Sequence, residues 1–213
     1  MIQKNTAIER TLSDILEHGI ILCVRLSGKE PVLDSCMAAI RGGLYVLEVT
    51  LTTPNALEVI RALSKEDNVI VGAGTVLKTE QVKAVADAGG RFALSPVYDP
   101  EILEVAEKYN LLGVPGAASP KEISDAHRGG AKLVKVFPAG VLGGPDFLRA
   151  VRGPFPHIPL VPTSGPRAEN IKEYMSAGAV AVGVGKDVFP NGFTLESAEM
   201  SAVRVKNAMI EYR

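Results

Sequence analysis

The residue that first points to chemistry is Lys135, set within the apolar run Leu133-Val134-Lys135-Val136-Phe137. Alternation along a strand sends Val134 and Val136 to one face, naturally the one under outer helices. Leu133, Lys135 and Phe137 then point to the interior. An amine stripped of water there is either one half of a structural bridge to a buried carboxylate or a nucleophile. In the second case the loss of hydration disfavours the ammonium form, and the neutral amine attacks a carbonyl to give a Schiff base. Glu48 repeats the pattern in Val46-Leu47-Glu48-Val49-Thr50-Leu51, with Val46, Glu48 and Thr50 in the inward register. A carboxylate in a strand interior is costly unless paired or used. Its two roles, partner of Lys135 or general acid/base, are compatible, and the two residues together favour function.

Further candidates stand at strand ends. Arg25 closes Cys23-Val24-Arg25 in a register opposite Leu22, Val24 and Leu26, suited to holding a carboxylate or phosphate, or else lying on the surface. Gly72-Ala73-Gly74-Thr75 lets backbone approach a ligand and offers a hydroxyl at Thr75, although an ordinary turn reads the same way. It is no dinucleotide fingerprint, since Leu77 stands where a third glycine is needed. Pro162-Thr163-Ser164-Gly165 and Val182-Gly183-Val184-Gly185-Lys186 are small-residue loops that could cradle a phosphate through backbone amides, with Lys186 as a point charge. Tight turns without a ligand are the alternative. His18, His127 and His157 share no metal-ligand spacing and read as surface or capping residues. No Gly-x-Ser-x-Gly elbow occurs.

The elements that must position these residues recur from end to end. Strand-like runs are expected at 20–26, 44–51, 68–74, 91–95, 111–114, 132–137, 158–162 and 180–184, with helix-like segments such as 54–64, 79–88, 100–108, 120–128 and 167–176 between them. Thr53-Pro54, Asp99-Pro100 and Ser119-Pro120 read as helix starts, and Gly42-Gly43, Gly89-Gly90, Gly129-Gly130 and Gly178 as helix ends. Residues 6–17 read as a lid helix before the first strand, and 195–211 as the last outer helix. Eight units over 213 residues average roughly 27 residues each, a compact (β/α)8 TIM barrel. That makes residues 1–213 a single domain with an extra N-terminal helix. A doubly wound sheet is the competing α/β arrangement, and the strand count favours the barrel. In a barrel, sites form at the carboxyl ends of strands, where these candidates lie.

Composition narrows the partners. Twenty-three basic and 24 acidic residues leave a formal charge of −1, which argues against nucleic acid or an anionic membrane as a partner. With 46% hydrophobic and 22% charged residues the chain reads as globular, able to bury a core without staples. Two cysteines, Cys23 and Cys36, make no disulfide framework or zinc pattern; they read as small packed apolar groups in a reducing compartment. The polar start Met1-Ile2-Gln3-Lys4-Asn5-Thr6 has no export-signal pattern, and no apolar run reaches the roughly 20 residues of a membrane span. The expectation is a soluble, cytoplasmic protein.

Taken together, Leu47-Glu48-Val49-Thr50, Val71-Gly72-Ala73-Gly74-Thr75-Val76, Leu94-Ser95-Pro96, Val114-Pro115-Gly116, Lys135-Val136-Phe137-Pro138-Ala139 and Gly153-Pro154-Phe155-Pro156 resemble the 2-keto-3-deoxy-6-phosphogluconate (KDPG) and 4-hydroxy-2-oxoglutarate (KHG) aldolase family. The resemblance runs over residues 20 to 190; each block is short, and their order and spacing make it specific. It implies a class I aldolase of carbohydrate metabolism, on the Entner–Doudoroff route, usually a homotrimer and needing no metal or cofactor. Lys135 would be the Schiff-base lysine and Glu48 the general acid/base. Thr52 and Thr75 would hold the pyruvate carboxylate with Arg25 nearby. Pro96 and Phe137 would shape the pyruvyl pocket, and Thr163, Ser164, Gly165, Gly185 and Lys186 would line the phosphate end of a small keto acid.

Three departures stand out. Many members carry arginine where this chain has Thr52, which leaves Arg25 and backbone amides to meet the carboxylate. The family's Thr-Gly-Gly reads Thr163-Ser164-Gly165 here, followed by Pro166, and Lys186 replaces a serine. The aldehyde released is glyceraldehyde 3-phosphate if the late loops bind phosphate, and glyoxylate if they do not. Two rivals use the same fold: a phosphate-binding isomerase or synthase needing no imine, and a catalytically silent barrel.

Overall fold

The structure is a computed structural model, and it describes residues 6–213; the polar start, Met1 to Asn5, lies outside the described residues. Among the described residues nine parallel strands alternate with helices: α1 (Thr6–His18), β1 (Ile20–Val24), α2 (Val32–Arg41), β2 (Val46–Thr50), α3 (Ala56–Leu63), β3 (Ile70–Gly74), α4 (Thr79–Asp87), β4 (Phe92–Leu94), α5 (Pro100–Lys108), β5 (Leu112–Val114) and β6 (Gly116–Ala117). Then follow α6 (Pro120–Arg128), β7 (Val134–Val136), α7 (Pro145–Arg152), β8 (Leu160–Pro162), a 3-10 turn at Ala168–Asn170, α8 (Ile171–Ser176), β9 (Val182–Val184) and α9 (Leu195–Tyr212).

A six-stranded sheet runs in the order β5-β4-β3-β2-β1-β9 and a three-stranded one in the order β6-β7-β8. Neighbours follow chain order, with the last strand returning beside the first, so the reversal that defines a doubly wound sheet is missing from this order. Pro115 alone separates β5 from β6; a residue without an N–H interrupts the ladder there. Between β8 and β9 the pairing thins to two isolated bridges, Leu160 with Ala179 and Thr163 with Gly183.

Side-chain alternation divides the core in two. Leu47 and Val49 of β2, Val134 and Val136 of β7, and Leu22 and Val24 of β1 pack outward under the helices. Ile21, Val46, Ile70, Phe92, Leu112, Leu133 and Val161 fill the interior, where Ile8 and Ile15 of α1 join them. Asp14 on α1 pairs with Arg91 at 2.5 Å, and Glu9 with Lys132 at 2.8 Å. Arg91 and Lys132 precede β4 and β7, so α1 closes the amino ends of the strands. The expected lid is a floor, on the side away from the strands' carboxyl ends.

Local signals held where a side chain could cap. Asp99 accepts from the amides of Glu101 and Ile102, and Ser119 with Glu122 forms a capping box, placing α5 and α6 at the expected residues. Thr53-Pro54 is a correction: α3 starts at Ala56 after Asn55 in the left-handed region, because the Thr53 hydroxyl is spent elsewhere. Strands are also shorter than the apolar runs that mark them, since their outer residues bury against helices without extending a ladder.

Candidate active site

Lys135 sits mid-strand in β7, its neighbours in register being Gly116 on β6 and Val161 on β8. Both flanking ladders hold the backbone, so the side chain has one way to go: inward and upward. It is buried, and its Nζ donates to Glu48 Oε1 at 3.3 Å. The same Nζ lies 5.4 Å from the centroid of the Phe137 ring. Glu48, mid-strand in β2, has no exposed surface, and its second oxygen, Oε2, has no hydrogen-bond partner among the described residues. A carboxylate with one oxygen on an amine and the other open to a ligand can accept or return a proton.

Arg25 leaves the end of β1 and spreads its guanidinium over two hydroxyls, Thr52 at 3.3 Å and Thr75 at 3.1 Å. Beneath it runs a chain of threonines. Thr50 contacts Thr52 at 3.0 Å and Thr53 at 3.1 Å, and Thr53 donates to the carbonyl of Val24 at 3.2 Å. Thr50 and Thr53 are buried, so the base of this network is rigid and its tip faces the opening. Thr75 holds a φ of 59°, and Ser164 one of 64°. A β-branched residue in the left-handed region costs of order 1–3 kcal/mol, strain that clusters at functional sites.

A cleft of about 570 Å³ opens above this chemistry, lined by Cys23, Arg25, Lys135 and Phe137 at one end. The other end is lined by Thr163, Ser164, Gly165 and Arg167 after β8, and by Gly185, Lys186 and Asp187 after β9. Gly183 has no room for a side chain, because the buried Thr163 hydroxyl, itself without a partner among the described residues, occupies the place a Cβ would take. Nine of the twelve candidates from sequence therefore converge: Arg25, Lys135, Phe137, Thr163, Ser164, Gly165, Gly185 and Lys186 line the cleft, and Glu48 meets Lys135 at its base. Thr52 and Thr75 join through Arg25. Pro96 stands apart from the lining residues; its carbonyl backs Gly116, the register partner of Lys135.

Sequence reasoning passed over Arg167 and Asp187. Arg167 lies four residues after Thr163 and adds a second cation beside Lys186, a signal visible only once the two loops are known to face one cleft. Cys36 is the packed apolar group expected, whereas Cys23 is a cleft residue. Burial and the neighbouring Glu48 carboxylate push the Cys23 thiol up to about 12, so it is protonated and poorly nucleophilic. His18 stacks obliquely on Tyr45, and His127 meets His157 edge-on at 5.2 Å. These lie toward the amino ends of the strands, away from the cleft. No helix among the described residues is long and apolar enough to cross a membrane.

Residues 12–205 match the model of the family described as KDPG and KHG aldolase. The chain is 38% identical to 2-dehydro-3-deoxy-phosphogluconate aldolase of Pseudomonas aeruginosa over 161 residues, 75% of this chain and 73% of that protein. Among solved structures it is similar to the 2-keto-3-deoxy-6-phosphogluconate aldolase of Zymomonas mobilis with 3-phosphoglycerate. That likeness has a TM-score of 0.85 and 26% identity, covering 93% of this chain and 96% of the other. It is also similar to the KDPG aldolase of Legionella pneumophila, whose structure holds pyruvate captured as a covalent carbinolamine intermediate. Here the TM-score is 0.79 and the identity 29%, covering 95% of this chain and 97% of the other.

Proposed function

The chain belongs to the KDPG and KHG aldolase family, and from that premise we propose that it is a class I aldolase, a pyruvate-forming aldehyde-lyase that cleaves KDPG to pyruvate and glyceraldehyde 3-phosphate. The observation that carries this reading is the buried Lys135–Glu48 pair with Oε2 free at the base of the cleft.

In this reading the neutral Lys135 amine adds to the C2 carbonyl, and loss of water from the carbinolamine gives the imine. Glu48 takes the proton of the C4 hydroxyl. The C3–C4 electron pair moves into the imine, leaving an enamine on Lys135 and releasing the aldehyde. Glu48 returns its proton to C3, and water hydrolyses the new imine to free pyruvate and the amine. Arg25 with Thr52 and Thr75 takes the substrate carboxylate by charge-assisted hydrogen bonds. The loops at Thr163, Ser164, Gly165, Gly185 and Lys186, with Arg167, take the phosphate. Phe137 and Cys23 keep the wall of the pyruvyl pocket apolar.

The same reading completes the fold as a single closed (β/α)8 barrel with α1 across its floor. Continuity of β5 with β6 through Pro115, and the two bridges from β8 to β9, support closure. A homotrimer follows from the family resemblance alone, and the two unpaired cysteines fit the cytoplasm.

The deciding experiment is borohydride reduction in the presence of pyruvate, followed by peptide mass analysis. A reduced pyruvyl adduct on the Lys135 peptide is expected. A chain that takes up no pyruvate label would act without an imine, as an isomerase or synthase of this fold does, and a label on another residue would overturn Lys135 as the Schiff-base lysine. Pyruvate release from phosphorylated and unphosphorylated keto acids then ranks the substrates.

A further inference from the structure

The seam between β8 and β9 has little backbone pairing, yet the two loops that form the distal end of the cleft spring from these strands. Among the described residues only the Thr163–Gly183 bridge joins them at that level. Above it, Asp187 crosses the gap. Its Oδ2 accepts from the amide of Ala168, on the loop after β8, at 2.8 Å. Its Oδ1 accepts from Arg204 of α9 at 2.8 Å, and the same guanidinium reaches Glu169 at 3.4 Å. The Asp187 side chain is 12% exposed. Arg167 and Lys186 stand next to the two ends of this strut, and neither forms a salt bridge among the described residues.

We propose that Asp187 is a positioning residue that locks the loops after β8 and β9 to one another, and so sets the preference for a substrate with a distal phosphate. The proposal rests on the aldolase reading above and deepens it. Two effects of Asp187 oppose each other. As an anion near the loops it repels a phosphate; as a strut it holds the phosphate's donors in place. Arg204 is shared between Asp187 and Glu169, so one negative charge is left over, and the unpaired Arg167 and Lys186 beside the strut more than offset it, which leaves little field to repel a ligand. Placement, by contrast, is sensitive: donors must be held to within about 0.5 Å, and a displacement of about 1 Å costs roughly a hundredfold. The positional effect wins.

The test compares Asp187→Ala, Asp187→Asn and Arg204→Met with the unchanged chain. For Asp187→Ala the KM for KDPG rises at least tenfold, kcat stays within about threefold, and the KM for KHG, which has no phosphate, is unmoved. Asp187→Asn keeps an acceptor for the Ala168 amide and recovers part of the loss; Arg204→Met moves the ratio the same way by less. Should Asp187→Ala not fold, the other two variants decide. An unchanged ratio of the two KM values, or an equal rise in both, overturns the proposal, whatever happens to the melting temperature. Calorimetric titration of inorganic phosphate separates this from failure of the aldolase reading. If the unchanged chain forms no pyruvyl adduct, the strut still stands or falls on whether its phosphate affinity exceeds that of Asp187→Ala tenfold.

Discussion

Gly74 gives Glu48 its place: a Cβ at residue 74 would overlap the carboxylate oxygen Oε1, the one that accepts from Lys135. The two residues sit on neighbouring strands, Gly74 facing Thr50 in register, one layer above the pair of Glu48 with Gly72. The glycine is needed for space and not for backbone freedom, since its φ is not among the positive ones.

Gly74→Ala therefore pushes the carboxylate away from the amine. Overpacking of this kind costs about 1–3 kcal/mol of stability, and an active-site displacement of about 1 Å costs roughly a hundredfold in rate. The expected result is a folded protein, melting lower, with kcat down about a hundredfold, checked by pyruvate release and thermal unfolding.

Lys135→Met abolishes turnover and the borohydride-trapped adduct, while Glu48→Gln, which cannot carry a proton away, lowers kcat by roughly 10²–10⁴. Each single change leaves the other member of a buried pair alone, at a cost of about 3–5 kcal/mol; replacing both together restores most of it. A double variant no more stable than the singles would show that the pair is not coupled as its 3.3 Å separation implies. Chemical denaturation measures all three.

Arg25→Lys keeps the charge but cannot span two hydroxyls at once. With only one of the contacts to Thr52 and Thr75 left, the keto acid carboxylate is less well oriented. KM is expected to rise roughly tenfold, equivalent to about 1.4 kcal/mol, with kcat changed much less. Steady-state kinetics on KDPG and KHG checks this, and the rise is the same for both because both carry that carboxylate.

His18 supplies a pH dependence unrelated to catalysis. Burial holds its folded-state value below 6.5, against the opposing pull of Glu17 and Asp14. A base with a depressed folded value binds more protons when unfolded. Its contribution to stability is thus complete above about 6.5 and lost as pH falls through the lower folded value. Replacing His18 by Gln is expected to flatten the fall in melting temperature between neutral and acid pH, and to leave the alkaline side alone.

How much of this was legible in the chain differs by residue. Lys135 and Glu48 were legible because a strand's period of two is strict: a charge flanked by outward Val134 and Val136, or by Leu47 and Val49, has no other face to occupy. Asp99-Pro100 and Ser119-Pro120 were legible because a cap is satisfied within three residues. Thr53-Pro54 misled for the converse reason, its hydroxyl going to Val24 on another strand. β6 was hidden behind Pro115, since two residues carry too little pattern to mark a strand.

Order along the chain determined the parallel α/β architecture, the inward faces and the placing of an ionisable Lys135 and Glu48 upon them, since these follow from local periodicity and from which side chains can ionise. Tertiary structure alone decided that Arg25 rests on Thr52 and Thr75, that α1 is the floor, and that Asp187 ties two distant loops together. Those facts depend on separations of a few ångströms between residues far apart in sequence. No periodicity encodes such distances; the closing of the whole chain sets them.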